Sequence, residues 1–155
     1  MPPPMDTERR SPGISLARLL AGATVAALVV QFLLGMQANL YVHTSPIEAS
    51  HGSGGMMGGM MPAMSQAMSG ASTLMLHMML GWPLVILALA SLLGAAVVRN
   101  RPATVLAAVG LGGILLAGYG GLQFMVTGHD GYSFLMATGF IVAVAAYFWE
   151  AYELH

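Results

Sequence analysis

The sequence predicts an all-α integral membrane protein, a four-helix bundle with up-down-up-down topology and both termini in the cytoplasm. The chain has 155 residues, of which 57% are hydrophobic and only 7% are charged. A water-soluble domain of this size leaves much of its surface exposed, so this composition favours lipid as the surrounding medium. Four apolar segments also reach the length of about 20 residues that a membrane-spanning helix requires.

The four predicted helices form one transmembrane domain, residues 16–152, after a cytoplasmic tail of residues 1–15. We place the helices at Leu16–Val42, Ser72–Val98, Ala103–Val126 and Tyr132–Tyr152. Helices are favoured over strands because an open sheet leaves backbone groups unsatisfied in lipid. The first apolar run is longer than the core of about 7–15 residues in a signal peptide, which predicts a retained helix.

The basic residues predict the orientation. All five are arginines: Arg9, Arg10, Arg18, Arg99 and Arg101. Arg9 and Arg10 precede helix one, Arg18 lies in its first turn, and the other two lie between helices two and three. Positive charge is enriched in cytoplasmic loops. We therefore expect a protein of the bacterial cytoplasmic membrane in which residues 43–71 and 127–131 are extracytoplasmic.

Small residues predict how the helices pack. Helix three carries a stripe at Gly110, Gly113, Ala117, Gly120 and Gly121. Small residues let neighbouring helices approach closely in lipid. Comparable stripes on helices one and two include Gln31 and His77, and we expect both of these side chains to point inward.

The segment between helices one and two is rich in methionine and glycine. Its six methionines are Met56, Met57, Met60, Met61, Met64 and Met68, and two histidines, His43 and His51, flank the cluster. Thioethers are soft ligands that select Cu(I), whereas imidazole also suits Cu(II). These residues therefore predict an extracytoplasmic copper site. The alternative is a low-complexity linker whose methionines pack at the membrane surface.

Helix two continues the pattern in the string "MLHMM". Met75 and Met79 are four residues apart and share a helix face, whereas His77 lies on another face. In the copper hypothesis these three residues receive the ion. A histidine within the membrane is costly unless it is hydrogen-bonded or coordinated.

Two other roles for His77 remain open. It is either a neutral imidazole bonded to a backbone carbonyl or a nearby amide (Gln31, Gln37 or Asn39), or the ligand of a b-type haem in an electron carrier of haem or quinone type. In the haem hypothesis the second ligand comes from His43, His129 or Met136.

Two resemblances accompany these patterns. Met56–Met79, with its Met-x-x-x-Met pair, resembles the eukaryotic-type copper transporters, which have three helices and form a trimer around methionine rings. The strings "QFLLGMQANLYV", "HMMLGWPLVILALASLL" and "FLMATGFIVAVAAYFWEAY" resemble small bacterial four-helix membrane proteins with no known activity. The second resemblance implies a fold and a topology but no activity.

Together these observations predict a non-enzymatic multi-pass membrane protein that binds copper outside the cytoplasm. No nucleophile–base pair, phosphate loop or pair of intramembrane carboxylates is present. An accessory subunit of a larger membrane complex, which docks through helix three, is the alternative from another class. Expected partners are the bilayer and other subunits or further copies, but not nucleic acid, because the net charge is −1. We expect Glu150 and Glu153 at the membrane interface.

Overall fold

The computed structural model describes residues 12–43 and 60–155, and within them the side chains of 12–38 and 72–155. These residues form four α-helices: α1 Pro12–His43, α2 Met60–Val97, α3 Arg101–Thr127 and α4 Asp130–Glu153. All four are long and apolar enough to cross a membrane, over Pro12–Ala38, Ser72–Val97, Arg101–Thr127 and Asp130–Glu153. The prediction of four helices that are long and apolar enough to span a membrane is therefore confirmed, and the described residues contain no strand.

Helix α2 is longer than the sequence predicted. We expected it to begin at Ser72 after a loop over residues 43–71, but it begins at Met60. Methionine, alanine and glutamine are good helix formers. Pro62 lies in the first turn, where its missing N–H costs little. Residues 60–71 are therefore helical, whereas residues 44–59 lie outside the described part of the chain.

The turn between α2 and α3 is held by backbone and side-chain caps. Arg99 has a φ of 57°, in the left-handed region that a non-glycine residue seldom adopts. Asn100 is the N-cap of α3, and its side-chain oxygen accepts a hydrogen bond from Ala103 N at 3.1 Å. Its amide donates to the backbone oxygen of Glu153 at 3.3 Å, so this turn also contacts the end of α4.

The turn between α3 and α4 is also short. Gly128 ends α3 with a φ of 68°, and its N–H donates to Phe124 O at 2.8 Å. Glycine adopts this conformation without a steric penalty. His129 is the N-cap of α4, and Asp130 follows in the first turn, where its negative charge complements the helix dipole.

Two compact units divide the described chain, and the boundary cuts α1 and α2. The first comprises residues 12–25 and 85–155, and the second comprises the described residues of Ala26–Leu84. In the first unit, residues of α1, α2 and α3 form a small apolar cluster with the residue that follows α4. Its members are Ala17, Ala95, Ala103 and Leu154, with Val98 packed against them.

Helices α3 and α4, both in the first unit, pack through glycine with backbone against backbone. A Cβ at Gly113 would lie 2.7 Å from Gly139 O, and a Cβ at Gly139 would lie 2.6 Å from Ala117 N. A Cβ at Gly120 would lie 2.7 Å from Met136 N. Gly110, Gly113 and Gly120 are all buried, so the predicted small-residue stripe of helix three is confirmed at these positions.

Candidate functional site

Within the Ala26–Leu84 unit, two polar side chains connect α1 and α2. The Gln31 side-chain amide donates to His77 O at 2.8 Å, and His77 Nδ1 lies 3.1 Å from Gln31 O. Because a carbonyl oxygen only accepts, Nδ1 carries the proton in this arrangement. Each side chain thus points toward the neighbouring helix, and the contact of His77 with Gln31 O fits the alternative in which the imidazole bonds to a backbone carbonyl.

The second ring nitrogen of His77 is less firmly held. Nε2 lies 3.5 Å from Gln31 Nε2, at the outer limit of a hydrogen bond. The ring packs against Gly35, where a Cβ would lie 3.0 Å from its Cε1 atom. Gln31 Oε1 is buried and accepts no hydrogen bond from any described residue. Gln31 and His77 therefore form an interhelical clamp between α1 and α2. In this clamp His77 Nε2 has only a long contact, and Gln31 Oε1 has no hydrogen-bond donor among the described residues.

The methionines of α2 lie on a different face from His77. Met75, Met78 and Met79 are exposed by 61%, 47% and 62%, whereas the imidazole is half-buried. Successive residues of an α-helix are rotated by about 100°, so a position two residues away points to another side. The predicted separation of His77 from Met75 and Met79 is confirmed. One ion bound by this helix alone would not reach all three.

The structure describes the remaining predicted metal ligands less completely. Met60, Met61, Met64 and Met68 belong to α2, and His43 is the last residue of α1. For these five residues only the backbone is described. His51, Met56 and Met57 lie outside the described residues.

A carboxyl on α4 is buried against other helices, which the sequence analysis did not predict. The location of Glu150 at the membrane interface stays a prediction, and the structure shows that this side chain is 0% exposed. Ser91 of α2, also 0% exposed, donates its hydroxyl to Glu150 Oε1 at 3.0 Å. The other oxygen, Oε2, is buried and accepts no hydrogen bond from the described residues. Glu153, in contrast, is exposed and accepts from Trp149 Nε1 at 3.1 Å.

Tyr147 lies one turn before Glu150 on the same side of α4. It is 0% exposed, its ring lies over Gly110, and its hydroxyl donates to Ala107 O at 3.3 Å. The sequence did contain the signal for this arrangement. Buried positions recur along α4 at intervals of three and four, at Gly139, Ala143, Ala146, Tyr147 and Glu150. This spacing defines one helix face, and Glu150 belongs to it.

Comparison with known protein families, with curated proteins and with solved structures finds no match to this chain.

Proposed function

We propose that the protein is a membrane protein that binds Cu(I) through a methionine face on the N-terminal part of α2. We define this face as Met60, Met61, Met64, Met68, Met75, Met78 and Met79. The observation that supports it most directly is that α2 is one continuous helix from Met60 to Val97. The methionines, which would have no fixed arrangement in a loop, thereby share one helical register.

The helical register gathers these positions closely. At about 100° per residue, all seven fall within an arc of about 100° around the helix. Positions three or four residues apart have Cβ atoms about 5–6 Å from each other. The unbranched thioether side chain is flexible enough to bring several sulfur atoms to one ion. Sulfur ligands of this kind select Cu(I) over harder cations.

In this proposal α2 extends beyond the membrane core. Its 38 residues correspond to about 57 Å at about 1.5 Å per residue, whereas the hydrocarbon core is about 30 Å thick. Arg99 and Arg101 lie near the Val97 end, and the other arginines lie before α1 or near its start, which favours a cytoplasmic location for these ends. In this proposal the Met60 end projects on the extracytoplasmic side and captures copper there.

The test compares two groups of methionine-to-leucine substitutions in the purified full-length protein. One variant replaces Met60, Met61, Met64 and Met68. The matched control replaces Met36, Met125 and Met136, which lie on α1, α3 and α4 outside the methionine face. We expect the first variant to bind Cu(I) at least about tenfold more weakly in competition with a chromophoric Cu(I) chelator, a loss of about 1.4 kcal/mol. Unchanged affinity, or an equal loss in the control, would overturn the proposal.

The orientation is tested separately by cysteine labelling, which is specific because the chain has no cysteine of its own. Single cysteines are introduced as Gly59→Cys and His155→Cys and treated with a membrane-impermeant maleimide. We expect labelling of the first in spheroplasts, and labelling of the second only after the membrane is permeabilised. The reverse pattern would place the methionine face in the cytoplasm.

His77 has a structural role in this proposal, as part of the clamp with Gln31. The electron-carrier alternative requires Nε2 to leave the vicinity of Gln31 and to ligate iron. A Soret band in the purified protein that disappears in His77→Leu would favour that alternative. A colourless protein that binds Cu(I) would favour the methionine face.

A further inference from the structure

We propose that Glu150 is a proton-binding site within the membrane-spanning part of α4, and that its neutral carboxyl reacts with apolar carbodiimides. The inference is independent of the copper proposal, because Glu150 and the methionine face belong to different compact units. It depends on the burial of the carboxyl, on its hydrogen bonds and on the lack of a hydrogen-bonded cation among the described residues.

The hydrogen bonds of Glu150 are too few for an ionised carboxylate. Its two oxygens offer about four acceptor positions when charged. Only one of these is used, by the neutral hydroxyl of Ser91 at 3.0 Å, and Oε2 has no partner in the described part of the chain. A buried charge without compensation is costly, and several kcal/mol per ion is typical even after the surroundings relax. A proton on Oε2 removes that charge.

No cationic side chain among the described residues is hydrogen-bonded to Glu150. Across the contact with α2 the partner is Ser91, and on α4 the neighbouring polar group of the same face is Tyr147, whose hydroxyl donates to Ala107 O. Arg99 and Arg101 near the α2–α3 turn are exposed, and so is Glu153. Arg18 on α1 is half-buried and donates no hydrogen bond to either carboxyl oxygen of Glu150.

An apolar cluster packs at the end of α4, close in sequence to this carboxyl. Leu154 follows Glu150 by one turn, and its N–H donates to Glu150 O at 3.1 Å. Leu154 is 2% exposed and packs in the cluster with Ala17, Ala95 and Ala103. The end of α4 at Glu153 is three residues away, or about 5 Å along the axis. Because the Glu150 side chain is 0% exposed, a proton reaches the carboxyl only when the surrounding packing opens locally.

These features define the reactivity of the site. The Glu150 carboxyl adds to the central carbon of a carbodiimide, its proton is transferred to one carbodiimide nitrogen, and an O-acylisourea forms. Migration of the acyl group to nitrogen then gives a stable N-acylurea. No atom leaves and no oxidant is required, so the product mass is the sum of the two reactants. A dry site that holds a neutral acid favours this migration over hydrolysis.

The experiment treats the full-length protein in lipid vesicles with dicyclohexylcarbodiimide and locates the adduct by peptide mass spectrometry. We expect one adduct, on Glu150, with a labelling rate that falls as the pH is raised. The charged, water-soluble carbodiimide EDC should not label Glu150, because the carboxyl is 0% exposed and a charged reagent enters an apolar interior only at high cost. Adducts only on Glu153, or equal labelling of Glu150 by both reagents, would overturn the proposal.

Two matched variants and a spectroscopic measurement complete the test. Glu150→Gln should lose the adduct, whereas Glu153→Gln should retain it. The infrared carbonyl band of a protonated carboxyl should be present in the wild-type protein at neutral pH and absent from Glu150→Gln. Because the adduct and the band are both measured on the wild-type protein, the proposal can be rejected even if Glu150→Gln does not fold.

Discussion

The α3–α4 pair and the α1–α2 pair of the Ala26–Leu84 unit are held by different means. In α3–α4, glycine brings backbone against backbone, with contacts that leave no room for a Cβ at Gly113, Gly120 or Gly139. In α1–α2, the interaction is polar and depends on Gln31 and His77. The α3–α4 pair therefore depends on close packing of complementary surfaces. The α1–α2 pair depends on hydrogen bonds between polar groups that find few other partners in lipid.

The comparison shows why the two pairs suit different tasks. Backbone contacts across a glycine seam have one tightly fitting arrangement, because packed interiors resist small changes of volume. A single polar clamp leaves neighbouring positions free to vary, and the methionine face occupies the α2 segment that includes this clamp. We therefore expect substitutions at the glycines between α3 and α4 to affect folding more than substitutions at the clamp between α1 and α2.

The largest effect is expected at the glycine seam. Gly139→Leu places side-chain atoms where the backbone of Ala117 and Gly113 already lies. We expect a loss of about 3 kcal/mol or non-folding, at the upper end of overpacking costs. Gly118→Leu is the matched control, because a Cβ at Gly118 meets no described atom within 4 Å. Unfolding of the purified protein in mixed detergent measures both, and equal effects would contradict the glycine-seam argument.

An intermediate effect is expected at the clamp. Gln31→Leu, His77→Leu and the double variant form a double-mutant cycle. We expect a coupling free energy of about 1 kcal/mol, within the range for hydrogen bonds between membrane helices. The same detergent unfolding assay gives the three values. Coupling near zero would show that the two contacts between these residues add nothing beyond packing.

The smallest effect is expected at the tyrosine of the α3–α4 pair. Tyr147→Phe removes a hydroxyl whose hydrogen bond to Ala107 O is long, at 3.3 Å, but keeps the ring over Gly110. We expect a change of about 0.5 kcal/mol or less, at the low end for a net hydrogen bond. Tyr147→Ala, which also removes the ring, should be much more damaging. A large loss in Tyr147→Phe would mean that polar contacts stabilise this pair too.

Hydropathy predicted the helices of this chain better than their ends. The predicted start of helix three, Ala103, lies two residues from the observed Arg101, and the predicted start of helix four, Tyr132, lies two residues from Asp130. The predicted start of α2 was wrong by a much larger margin, because the helix begins at Met60 and not at Ser72. Hydropathy detects residues that prefer lipid, whereas helix formation also includes polar residues such as Ser65 and Gln66.

The polar groups divide in a similar way. The contact of His77 with Gln31 was predictable, because a histidine in a membrane span needs a partner and few candidates were nearby. The burial of Glu150 was missed because its place near the chain end suggested the interface. Glu150 meets Ser91 across 59 residues of sequence, and hydropathy does not predict which side chains two helices bring together.

The turn between α2 and α3 carries an arginine where the backbone would suit glycine. Arg99, at a φ of 57°, accepts a conformational cost of about 1 kcal/mol. Glycine would relieve this cost, because it adopts a positive φ freely. It would also remove one of the five positive charges from which we predicted the orientation. In that prediction the charge of Arg99 helps to set the direction in which the chain enters the bilayer, at the expense of a strained turn.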